Sequence, residues 1–145
     1  PAALFVHGNP GMLSTPQIAM VGSRNPSAGG ARTAHDFAHH FASCGLAVTS
    51  GLAMGIDSAC HQGALAADGI TIAVTGTGLD RVYPASNREL AHQIVDRGAL
   101  VAEFPPGTPP RPGNVPRRNR IIAGLSLGTL VVEAALKSGS LITAQ

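Results

Sequence analysis

The chain has 145 residues, 44% hydrophobic and 12% charged, with ten Lys/Arg against eight Asp/Glu for a formal charge of +2. That length can bury a real core in one domain. The small net charge does not by itself mark a nucleic-acid partner, and no apolar run approaches the ~18–20 residues of a membrane span. Cys44 and Cys60 lack CxxC spacing, and no export signal is visible, so reduced thiols and a cytoplasmic location are expected. Pro1 in place of Met predicts a piece of a longer chain, and residues 139–145 read as a helix cut off soon after it starts.

Residues 4–6 read as an edge strand, followed by the turn signal Gly8-Asn9-Pro10-Gly11. Ile18 to Val21 is a short apolar run suited to a strand buried on both faces. From Gly29 to Cys44, Ala31, Ala34, Phe37, Ala38, Phe41 and Ala42 recur at helical spacing. Residues 46–49 read as the second strand, and Asp57 or Ser58 would cap a helix reaching Ala67. Residues 70–74 form the third strand. Ser86 or Asn87 would cap a helix to Arg97, and residues 99–103 form the fourth strand. A Pro-rich loop from Phe104 to Pro116 is long enough to be functional or mobile. A short helix at 117–125, a fifth strand at 129–133 and a helix opening at Lys137 complete the order. Strands alternating with helices predict a three-layer, doubly wound, mostly parallel α/β sheet with helices on both faces.

In such sheets ligands bind beyond the carboxyl ends of the strands. The turn Gly22-Ser23-Arg24-Asn25-Pro26-Ser27 lies at such an end, between a strand and a helix N-terminus. The first helical N–H groups have no partner in their own helix, so a phosphate is expected there, with Arg24 adding a planar fork of donors. Arg118, Arg120 and Lys137 fall at the same edge, and Arg111, Arg117, Arg118 and Arg120 cluster within ten residues. Trp is absent and only one Tyr and four Phe are present, so base-stacking platforms are scarce.

The stretches VGSRNPS, VTSGLAMGIDSACHQGAL, TGTGLDRVYPASN, EFPPGTPP, RRNRIIAGLS and EAALKSGSLITA occur in one order along the chain. Together they resemble the Rossmann-like domain of the DNA-processing protein A family, DprA, also called Smf. The resemblance covers nearly all of residues 3–145. It implies a non-enzymatic bacterial protein of the cytoplasm that binds single-stranded DNA during natural transformation, protects it and loads the RecA recombinase. It further implies a homodimer formed through parts of the family domain that follow Gln145. Carried over by residue, the DNA pocket would comprise Gly22, Ser23 and Arg24 on phosphate. Ser50 and Gly51 would line its floor, Arg118, Asn119 and Arg120 would donate to phosphate or base edges, and Lys137 and Ser138 would complete the basic rim. Val115 stands where the family often has an aromatic.

His35, His39, His40 and His61 raise the question of metal, but no HExxH pattern is present and a solvated helix face is the expectation. Turn or capping hydrogen bonds account for Asp57 and Asp80. No paired acid and base and no Ser/His/Asp order support hydrolysis, and no cofactor is expected. The competing reading is a nucleotide-binding enzyme of the nucleoside-monophosphate phosphoribohydrolase type, which carries PGGxGTxxE. Here the stretch from Gly124 to Glu133 lacks PGG, and Gly128-Thr129 is followed by three residues before Glu133. The dinucleotide fingerprint GxGxxG is absent after the first parallel strand.

Overall fold

Three four-residue runs, Ala47–Ser50 (β3), Thr71–Val74 (β4) and Ala99–Ala102 (β5), are buried along their whole length in the computed structural model, which describes residues 3–134. Small and β-branched side chains suit strands covered on both faces. With Phe5–Gly8 (β1), Gln17–Gly22 (β2) and Gly128–Val132 (β6) they form one sheet in the order β1-β5-β4-β3-β2-β6. All pairings are parallel except β1 on β5, where Phe5 faces Ala102. The chain winds outward from β2 to β5, then returns to the other side of β2 as β6. The reversal that creates a ligand crevice in α/β sheets therefore lies beside β2.

Helices Ala28–Ser43 (α1), Ile56–Ala66 (α2) and Arg88–Arg97 (α3) cover one face, packing on Met20, Val48, Ala73 and Leu100. Helix Asn114–Leu125 (α4) covers the other, packing Ile121 and Ile122 on Ala19, Val21, Ile72 and Val101. The expected layering is thus observed. On α1, Ala34, Ala38 and Ala42 are buried at four-residue spacing. Opposite them a Cβ on Gly63 would strike the His35 carbonyl, so α1 and α2 approach closely through small residues.

Two helices begin earlier than the spacing predicts. α2 starts at Ile56, so Asp57 and Ser58 lie inside its first turn and neither caps it. α4 starts at Asn114, and Pro116 is accommodated because first-turn N–H groups have no helical acceptor. Asn87 flanks α3 without capping it; its amide donates to Leu52 O and Ser58 Oγ, both at 2.9 Å. The Pro-rich loop is pinned: Gly78 N–H reaches Thr108 O at 3.0 Å, and Gly107 N–H reaches Asp80 Oδ1 at 2.7 Å. No described helix is long and apolar enough to cross a membrane.

Candidate nucleic-acid interface

The turn after β3 is organised by two side chains of α2. Asp57 and His61 are four residues apart, so they share a helical face and point back at the turn. Asp57 Oδ2 accepts from Gly51 N at 3.2 Å and Ala53 N at 3.3 Å, while His61 Nε2 accepts from Leu52 N at 3.2 Å. Leu52 adopts a left-handed φ of 61°, which lets all three successive N–H groups find these acceptors. With Nε2 accepting, Nδ1 carries the proton and donates to Thr71 Oγ1 at 2.7 Å, whose hydroxyl donates to Val48 O at 2.8 Å. Burial pushes the His61 imidazole down to about 3, and the Arg118 charge acts in the same direction. The spacing D-x-x-x-H directly after a Ser-Gly turn was the sequence signal for this network. His61 is fully buried, which corrects the expectation of a solvated face; His39 and His40 are exposed as expected.

Arg118 enters the same turn from the other face of the sheet. Residues 118, 121, 122 and 125 follow helical spacing, so Arg118 lies on the inward stripe of α4. It is 6% exposed. Its Nη1 donates to Gly51 O at 2.6 Å and Val74 O at 2.9 Å, and its Nε donates to Asn119 Oδ1 at 2.7 Å. A Cβ on Gly51 would meet the guanidinium carbon at 2.5 Å, so only glycine leaves room for that group. Asp57 and Arg118 thus grip opposite ends of residue 51. Burial raises the Asp57 carboxyl, against the pull of Arg118, two backbone donors and the Ser50 hydroxyl dipole. Ser50 Oγ itself is buried without a hydrogen-bond partner of ordinary geometry. Burial lowers Arg118; Asp57 opposes this and Arg24 adds to it, so the Arg24 charge is felt at Arg118.

The expected pocket residues fall into a buried and an exposed group. Arg118 and Asn119 are buried within the edge, and the Arg118 guanidinium is engaged by the chain itself instead of facing outward. Ser50 and Gly51 are likewise buried, and the turn N–H groups are already satisfied internally. The helix N-terminus expected to seat a phosphate is occupied by the chain's own carboxylate. Glu133 Oε1 accepts from Ser27 N at 2.8 Å, and the Ser27 hydroxyl also donates to Glu133. Those bonds hold the Glu133 carboxyl below its ordinary range. Ser27 Oγ in turn caps α1 by accepting from Gly30 N at 3.0 Å. A carboxylate here satisfies the same positive helix end that a phosphate would.

What remains outward is the side-chain rim. Gly22 and Ser23 are half-buried at the end of β2, Ser23 Oγ accepts from Asn25 N at 3.0 Å, and Arg24 beyond them is exposed. Arg120 is exposed and donates to Glu103 Oε1 at 2.7 Å; Arg117 lies 3.8 Å from the same carboxylate and stacks over Phe104 at 5.2 Å. Arg24 follows β2 and Glu103 follows β5, three strand positions apart, or about 14 Å at the usual strand spacing. The side chains of Arg24, Arg32, Arg81, Arg88 and Arg111 make no hydrogen bond or ion pair among the described residues. All five lie on segments that follow strand ends or open helices toward the carboxyl edge. Lys137 and Ser138 lie outside the described residues. Among the described residues no three His, Cys, Asp or Glu side chains come together as metal ligands.

A family model described as DNA recombination-mediator protein A matches residues 1–145. Protein Smf of Escherichia coli strain K12 is 51% identical over 146 residues, covering 100% of this chain and 39% of that protein. The X-ray structure of DNA processing protein A from Streptococcus pneumoniae superposes with a TM-score of 0.91 at 46% identity, covering 97% of this chain and 49% of that one. DNA processing protein A from Helicobacter pylori, described for its single-stranded DNA binding mode, superposes at 0.89 with 29% identity, covering 97% and 64% respectively. The chain spans 39% of the Escherichia coli relative and about half of the Streptococcus pneumoniae one. Sequence, sheet order and superposition agree: the chain belongs to the DNA recombination-mediator protein A family.

Proposed function

We propose that this chain binds single-stranded DNA along the carboxyl edge of its sheet, as the DNA-holding part of a DNA-processing protein that acts in natural transformation. In this reading it works in the cytoplasm, protects the incoming strand and presents it to the RecA recombinase, as a homodimer joined through segments beyond these residues. It is a binding protein with no catalysed reaction. Arg24 holds backbone phosphate beside Gly22 and Ser23, Arg120 takes a second phosphate along the edge, and Lys137 and Ser138 extend the rim. Ser50, Gly51, Arg118 and Asn119 act underneath, fixing the shape of that edge.

The observation that carries the proposal is Arg24: exposed, without a partner among the described residues, and beside the reversal point of the sheet. A guanidinium held there against the field of buried Arg118 gains from a bound anion. The ~14 Å from Arg24 to Glu103 lies within the reach of a strand occupying ~4–16 nucleotides, the range of single-strand binding folds. The phosphoribohydrolase alternative draws no support from Glu133, whose carboxylate is engaged by Ser27 at a helix end.

Titration of a short labelled oligonucleotide tests the reading. Single strands bind in preference to duplex, with little sequence dependence. Arg24→Ala weakens binding about tenfold or more, since a charge-assisted hydrogen bond contributes ~1.5–3 kcal/mol. Arg97→Ala leaves affinity unchanged. Equal losses from the two variants, or release of base from nucleoside monophosphates, would refute it.

A further inference from the structure

A groove of about 570 Å³ opens between α3, the segment after β4 and the edge strand β1. That volume falls in the ~300–1,000 Å³ range of small-molecule sites. Its floor is apolar, formed by Leu79, Ala91, Val95 and Leu100, while Tyr83 stands on its rim 61% exposed. Arg81 and Arg88 flank the tyrosine, and neither guanidinium has a hydrogen bond or ion pair among the described residues. Arg88 is the first residue of α3, where a cation opposes the positive helix end. The adjacent Glu89 is the acidic residue of that first turn. The imidazoles of His7 and His92 add two more polar groups to the wall. The one carboxylate in the lining, Asp80, already accepts from Gly107 N at 2.7 Å.

We propose that this groove takes one nucleotide unit, with the base on Tyr83 and the apolar floor and the phosphate between Arg81 and Arg88. An exposed aromatic flanked by two unpartnered guanidinium groups matches a flat base joined to a phosphate, and it matches neither a neutral peptide nor an acidic one lacking rings. The groove borders β5, the strand whose end carries Glu103 with Arg120, so it lies further along the sheet from Arg24. A strand seated at Arg24 and Arg120 reaches it by continuing in the same direction. This extends the proposed DNA reading, and the occupant is either a distal nucleotide of that strand or a free mononucleotide.

The test uses the full chain with a short oligothymidylate that covers the Arg24 rim, a longer one and thymidine monophosphate. Tyr83 is the single tyrosine and tryptophan is absent, so intrinsic fluorescence reports the groove. The longer strand is expected to quench Tyr83 and to bind more tightly than the short one. Tyr83→Leu and the double variant R81A/R88A remove that gain, about five- to tenfold, and leave short-strand affinity unchanged, as stacking of a single base suggests. Quenching by the monophosphate alone would assign the groove to free nucleotide instead of the strand, and would still support a nucleotide site. Longer-strand binding unaltered in both variants, with no quenching by either probe, would overturn the proposal. Equal loss on short and long strands would also overturn it. Loss of short-strand binding in wild type would instead remove the Arg24 reading, whatever the groove does.

Discussion

The two ends of the sheet treat arginine differently. At the amino end Arg97 closes α3 and is neutralised, its Nη2 lying 3.0 Å from Asp68 Oδ1 and its Nη1 donating to the Asp68 carbonyl at 3.3 Å. At the carboxyl end Arg118 is buried on carbonyl groups and Arg120 shares Glu103, yet the side chains of Arg24, Arg81, Arg88 and Arg111 have no partner among the described residues. A formal charge of +2 therefore understates the field at one edge. Paired charge at one end and unsatisfied charge at the other is the pattern of a molecule that meets a polyanion from one side. The carboxyl end is itself two layers: a buried network that fixes its shape, and an exposed rim available to a ligand.

The largest effect that would break this contrast lies in the buried layer. Arg118→Ala removes the guanidinium donor from the buried Gly51 and Val74 carbonyls and the cation that offsets the buried Asp57 carboxyl. It is expected to cost about 3–5 kcal/mol of stability in denaturant unfolding, the usual loss when one partner of a buried ionic network is removed. Loss of DNA binding in that variant would follow loss of structure. A fully stable Arg118→Ala protein with impaired binding would place Arg118 on the rim after all.

His61 gives a pH dependence of known sign. Its folded pKa, about 3, is depressed below the ordinary value of 6.5. Its contribution to stability is therefore fully present above pH 6.5 and is lost as the pH falls from 6.5 toward 3. Between pH 6.5 and 4 the denaturant midpoint of wild type should fall more steeply than that of His61→Gln. Parallel curves would show that His61 is not held neutral by burial.

A smaller effect separates the α1 helix end from the rim. Ser27→Ala removes the cap on Gly30 N and the hydroxyl contact to Glu133 while the backbone bond from residue 27 to Glu133 stays, and is expected to cost ~1 kcal/mol in thermal or denaturant unfolding. Oligonucleotide affinity should change little, because that helix end already holds a carboxylate. A large affinity loss without a stability loss would mean that phosphate displaces Glu133.

Much of the architecture was legible in the chain. The apolar runs, the alternation of strand and helix and the glycine-rich turns all follow from local periodicity, whereas the order of the strands in the sheet was not read from the sequence. The site was legible only as a place. Whether a turn offers spare N–H groups depends on acceptors brought from elsewhere: Glu133, 106 residues from Ser27, and Asp57 and His61 folded back onto 51–53. No local pattern announces that occupancy. The inward direction of Arg118 was in principle readable, since it shares a helical stripe with Ile121, Ile122 and Leu125. Pro116 obscured it by appearing to delay the start of α4.

The central claim is that an exposed cation at the β2 end grips the phosphates of an unpaired strand. The most direct measurement is the salt dependence of oligonucleotide affinity for wild type, Arg24→Ala and Arg97→Ala. Each phosphate contact contributes about 0.7 to the slope of log affinity against log salt on single strands. The account predicts that Arg24→Ala flattens the slope by roughly that amount and that Arg97→Ala leaves it as in wild type. A slope unchanged by Arg24→Ala, or flattened equally by both, would contradict it.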